Sequence, residues 1–149
     1  MLRADAIERV TIFKLLGVTS SNDLSWEAHV NTICAKVPPW LYYLKQLRRA
    51  GLSLDDLSYF YLMVIRPVLE YGCAAWHHGL TVAQSKKLES LQKRALRIKL
   101  MAYDMPYDSA CAYAGVESLS ARRYELGKRF FCTVTDSESC LHDLSLIHI

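Results

Sequence analysis

Asp55 and Asp56 are the only adjacent carboxylates of the sequence. Two-metal nucleotidyl transfer needs paired carboxylates that hold divalent ions about 3.5–4 Å apart. The pair follows Ser53-Leu54, however, which is how a capped helix begins, and acidic residues suit the positive end of a helix dipole. The helix start is the favoured reading. Cys73 and His77 stand four apart and could share a helical face toward a metal, but no second pair at matching spacing completes a zinc set. Cys132, Cys140 and His142 follow no finger or knuckle spacing either. The strongest chemical pattern is basic. From Gln84 to Leu100 the chain carries Lys86, Lys87, Lys93, Arg94, Arg97 and Lys99 against a single acid, Glu89. Lys86, Lys93 and Arg97 fall at i, i+7 and i+11 and so share one face of a helix. Such a stripe can follow a phosphate backbone, or it can simply be a solvated face. Lys45, Arg48 and Arg49 form a second cluster, and Arg122, Arg123, Lys128 and Arg129 a third. Three clusters on separate helices tilt the balance toward nucleic acid.

The elements that position these residues follow from the apolar pattern. The chain has 149 residues, 52% hydrophobic and 22% charged. At that length a single domain can bury about 70% of its unfolded surface, and the composition excludes disorder as the main state. The stretch Leu57 to Ile65 stops at Arg66, far short of the ~20 residues of a membrane span. Arg3, Asp5 and Glu8 argue against a secretory leader. Five cysteines without a CxxC pair fit a reducing, intracellular setting, cytoplasm or nucleus. The net charge of +3 allows an anionic partner without demanding one.

Ile7, Val10, Ile12, Leu15 and Leu16, with Gly17 at a turn, predict a hairpin or two short strands. Trp26, Val30, Ile33, Cys34 and Val37 predict a helix capped by Ser25. Pro38-Pro39 then predicts an interruption, with a second helix through Leu41, Leu44 and Leu47 ended by Gly51. Leu57, Phe60, Tyr61, Val64, Ile65, Val68 and Leu69 predict a buried helix kinked at Pro67, in a segment closed by Gly79. Thr81 to Gln84 is a capping box opening a helix to about Leu100, with Leu88, Leu91, Ala95 and Ile98 inward. Pro106 and Gly115 bracket a short helix. The last helix follows Ser118 or Ser120 and turns Leu126, Phe130 and Val134 inward. The expected fold is mainly α, a bundle of about five or six helices with a short N-terminal β-hairpin. Two strands alone are marginal in water, so the chain reads as a fragment of a larger α+β protein.

An ordered set of phrases carries a resemblance. They are Phe13 to Val18, Leu24-Ser25-Trp26 with His29, and Leu41 to Leu47. Val64 to Tyr71 with Trp76-His77 comes next, then Gln84-Ser85 leading to Leu91-Gln92-Lys93-Arg94-Ala95. Arg122-Arg123, Phe130-Phe131 and Ser139 to His142 complete it. Together they resemble the reverse transcriptase of LINE-type non-LTR retrotransposons, in the region just after the catalytic palm, over about Ile7 to Leu144. The resemblance implies that residues 1–23 are a palm-edge hairpin, with Leu16, Gly17 and Val18 as a primer-grip-like turn. It implies that 24–144 are the helical thumb and post-thumb region, clasping an RNA–DNA or RNA template–primer duplex, and the basic clusters offer Lys45, Arg48, Lys86, Lys93, Arg94 and Arg97 as the contacts. Residues 145–149 fall outside it and read as a non-native tail. The family's Tyr-x-Asp-Asp strand–turn–strand, its Mg2+ and the palm and fingers domains belong to the parent polymerase. Asp55-Asp56 does not match that motif, so no catalytic residue, cofactor or enzyme activity is expected of this piece, and no membrane partner. Pro38-Pro39 and Ala74 depart from the family pattern. The competing reading is a non-enzymatic helical interaction protein or a nonfunctional remnant of a mobile element.

Overall fold

The computed structural model describes residues 9–136 and 138–142. The expectations for Ile7 and for the tail at 145–149 lie outside the described residues. The fold is mainly helical with an antiparallel N-terminal hairpin, as the pattern predicts. Strands β1 (Ile12–Leu15) and β2 (Val18–Ser21) pair Ile12 with Ser21 and Leu15 with Val18. Leu16 and Gly17 between them have φ of 47° and 86°. A two-residue turn with both φ positive matches the strand twist, and glycine adopts it without strain.

Helix α1 (Glu27–Arg49) runs straight through Pro38 and Pro39. The expected break is absent. Val30, Ile33, Val37, Leu41 and Leu44 are all buried at helical spacing on both sides of the prolines. That burial outweighs the lost hydrogen bonds, and both prolines sit on the exposed face, away from the core. The cap also differs. Trp26 occupies the N-cap without a side-chain bond, and the Ser25 hydroxyl only accepts a long 3.4 Å bond from the Glu27 amide.

Helix α2 (Leu54–Phe60) starts at Ser53, whose hydroxyl accepts from the Asp56 amide. It passes into a π turn over Tyr61–Ile65 and then α3 (Arg66–Glu70). Leu57, Tyr61, Ile65 and Leu69 are buried at four-residue intervals. In an ideal α-helix that spacing drifts about 40° per step, and the wider π turn takes up the drift. It also lets the chain pass Pro67, which cannot bond the Met63 carbonyl. Phe60, Val64 and Val68 are half-buried at the edge of this stripe. The rod ends at Glu70 rather than near Gly79, because Gly72 turns the chain at φ 62°. A single turn α4 (Cys73–Trp76) and a 3-10 turn His77–Gly79 follow.

Helix α5 (Val82–Leu100) has the expected capping box, with Thr81 and Gln84 satisfying each other's backbone N–H groups. Helix α6 (Tyr107–Ala114) lies between Pro106 and Gly115, and α7 (Leu119–Thr135) is capped by Ser118. On α7 the inward residues are Leu119, Arg123 and Gly127, with Leu126 and Val134 half-buried. Phe130, expected inside, is exposed. One core joins α1, the α2–α3 rod, α4, α5 and the start of α7, and a smaller one joins α5 to α6.

Candidate nucleic-acid interface

Helix α1 packs along α5, and the register of that packing decides where the basic residues point. On α5 the fully buried residues are Leu88, Gln92, Ala95, Leu96 and Lys99. Leu91 and Ile98, expected in the stripe, are only half-buried. The buried stripe is therefore rotated from the predicted one. Gln92 belongs to it because it is satisfied on every side. Its amide donates to the Tyr107 hydroxyl at 2.9 Å and to the Glu117 carbonyl at 2.8 Å, while its oxygen accepts from the Tyr61 hydroxyl. Burial holds both the Tyr61 and Tyr107 hydroxyls in the neutral form, well above the ordinary phenol range.

Rotated this way, α5 brings Lys93, Arg94 and Arg97 to one bank of a groove of about 560 Å3. Lys45 of α1 stands on the other bank, Ile98 lines it between them, and Tyr103 from the α5–α6 loop completes it. Among the described residues none of these four cations has a carboxylate oxygen within 4 Å. The Arg97 Nε is shielded from solvent and has no hydrogen-bond partner, and the same holds for Arg48 Nε on α1. A buried donor without an acceptor is costly, and an anionic oxygen is its strongest complement.

The other predicted site residues fall elsewhere. Lys86 is exposed but does not line the groove, about 10 Å along α5 from Lys93 by helical rise. Lys87 donates to Asn31 Oδ1 at 2.6 Å and ties α5 to α1. Lys99 is buried, and burial pulls its ammonium pKa down despite the Asp55 carboxylate nearby, so it is a packing residue. Arg123 is not a surface cation either. It is fully buried, its guanidinium 5.8 Å over the Trp76 ring, bonded to His77 Nδ1 at 3.4 Å and Ser85 Oγ at 3.3 Å, with Glu89 at 4.0 Å. Arg122 reaches Glu70 at 3.6 Å, and Lys128 and Arg129 are exposed on α7 away from the groove.

Asp55 and Asp56 occupy the first turn of α2, where the Ser53 hydroxyl donates to Asp56 at 2.6 Å. Their carboxylates serve that helix start, and among the described residues no group of three or more His, Cys, Asp or Glu side chains could hold a metal ion. Cys73 is buried in the core with its thiol pKa raised by burial, and His77 faces Arg123.

At the hairpin turn the Leu16 side chain projects into solvent, 83% exposed. Its carbonyl accepts from the Tyr71 hydroxyl at 2.7 Å, and Val18 packs against the core. The Thr19 amide donates to Nδ1 of buried His29 at 3.2 Å, and the ring lies edge-on to Trp26 and Trp76. Burial lowers the His29 pKa. A cavity of about 380 Å3 lies beneath the hairpin, bounded by Gly17, His29, Ile33, Lys36, Val68 and Tyr71. His29 and Lys45 are separated by about 24 Å of α1, so turn and groove occupy opposite ends of that helix. The sequence patterns do not single out Tyr103, although an aromatic just past a basic helix marks it. His29 enters only through the phrase with Leu24-Ser25-Trp26, and nothing local marks its bond to Thr19.

Comparison with protein-family models, with curated proteins and with solved structures finds no match for this chain.

Proposed function

We propose that this chain is a template–primer-binding piece of a LINE-type retrotransposon reverse transcriptase, corresponding to its primer-grip edge and thumb-side helices. The observation that carries the reading is the groove between α1 and α5, where Lys45, Lys93, Arg94 and Arg97 converge with no acidic partner among the described residues. Cations left unpaired on two packed helices suit a ligand that brings its own regularly spaced negative charge, and a nucleic-acid backbone is such a ligand. The ordered phrases from Phe13 to His142 supply the family. The chain's share of the parent's RNA-directed DNA synthesis is grip and orientation of the template–primer, not bond making. Asp55 and Asp56 lie in the first turn of α2, which Ser53 caps, and do not match the parent's Tyr-x-Asp-Asp motif, so no chemical step is assigned to this piece.

The test is the salt dependence of binding to a template–primer, an RNA–DNA hybrid with a single-stranded RNA overhang. Four phosphate contacts predict a log–log slope of about −3 to −4, and changing Lys93 and Arg97 together to Gln should flatten it by about 1.8. Equal affinity and slope for the parent chain and a folded double variant would sink the reading and favour the helical interaction protein with solvated basic faces.

A further inference from the structure

One residue of the groove's lining narrows its ligand further, on the reading just given. The cations on its two banks are complementary to phosphates. Tyr103 is different. The residue is 58% exposed in the same groove lining as those cations, and it takes part in no hydrogen bond or ring contact among the described residues. It sits on the loop that begins where Met101 turns α5 out of its helix at φ 52°. A tyrosine ring so placed adds little to phosphate binding. It adds a flat apolar face, and the matching face on a nucleic acid is that of a base. Inside a duplex each base is already covered above and below by its neighbours. Only an unpaired nucleotide offers its face to a side chain.

We propose that the groove holds unpaired strand, with its phosphates on Lys45, Lys93, Arg94 and Arg97 and one base stacked on Tyr103. The ligand class is single-stranded RNA or DNA, continuous with the template where it leaves the duplex. Half-buried Ile98 also lines the groove, and stacking on Tyr103 accepts any base, so the grip tolerates any sequence.

Fluorescence anisotropy of the full chain at low salt tests this with three labelled probes: a blunt RNA–DNA hybrid, the same hybrid with a 5′ RNA overhang, and oligouridylate. The overhang and the single strand should bind more tightly than the blunt hybrid. Tyr103→Ala should weaken both by roughly 5- to 150-fold, the range of one lost base stack, and leave the blunt hybrid unchanged. Tyr103→Phe should restore the loss, since stacking needs the ring and not the hydroxyl. Equal effects of Tyr103→Ala on all three probes, or none on any, would overturn the single-strand assignment while leaving hybrid binding standing. Failure of every probe to bind would overturn both proposals.

Discussion

Replacing Arg123 with Ala removes a cation from the centre of the molecule. The guanidinium is fully buried under α7, over Trp76 and between His77, Ser85 and Glu89. Its Nη1 already lacks a partner, so burial of the charge is only partly compensated. Removing so large a side chain from a packed core costs about 3–5 kcal/mol, because a cavity beside Trp76 is left behind. For a domain stable by 5–15 kcal/mol that is a large fraction. With an m-value of about 2 kcal/mol per molar urea, the midpoint should fall by roughly 1.5–2.5 M. Arg123→Met separates packing from charge. Glu89 still accepts from the Tyr107 hydroxyl and from the Leu119 and Ser120 amides, so its carboxylate stays satisfied. Methionine also fills much of the space beside Trp76. Its midpoint should drop by less than half as much as that of the alanine variant. Urea titration followed by far-ultraviolet circular dichroism reads both. An Arg123→Ala midpoint equal to that of the parent chain would mean that Arg123 is solvated and that α7 docks differently.

Neutral His29 accepts from the Thr19 amide, so protonation would set a donor against a donor. Its folded pKa lies below the ordinary 6.5, so the unfolded state binds more protons between the two values, and this part of the stability is present above pH 6.5 and lost as pH falls through the folded value. The Thr19 amide resonance should therefore shift on acidification, and a flat trace down to the onset of acid unfolding would refute the coupling. Changing Pro38 and Pro39 together to Ala should restore two α1 hydrogen bonds and raise stability by about 1–3 kcal/mol, seen as a thermal midpoint several degrees higher. A lowered midpoint would mean that the prolines suit the helix as built.

What the sequence revealed divides along the reach of the interactions. Starts at Ser53, Thr81 and Ser118, the stop at Gly115 and the Leu16-Gly17 turn were legible because each is decided within a few residues. The unbroken α1 was not, because local proline chemistry argued for a break and a row of distant apolar partners decided otherwise. Lys99 and Arg123 were misplaced because charge alone reads as surface, while their burial depends on α2, α4 and α5 neighbours. The basic stripe on α5 was legible as a helical face. That Lys45 joins it and Lys86 does not depends on how two helices align, which no spacing within one of them encodes.

Gln92 sits directly before Lys93, and that adjacency has a thermodynamic consequence. Through Gln92 and Glu89 the inner face of α5 is bonded to Tyr61, to Tyr107 and to the start of α7. The backbone that bears Lys93, Arg94 and Arg97 is thus held in place without any ligand, including the proposed strand. Ordering on association falls on side chains alone, about 0.5–1.5 kcal/mol for each one immobilised, rather than on a helix that must first form or turn. The same clamp makes those cations hard to redirect: a ligand whose charges are spaced differently would have to bend α5 against its own core, so rigidity on the inner face becomes selectivity on the outer one.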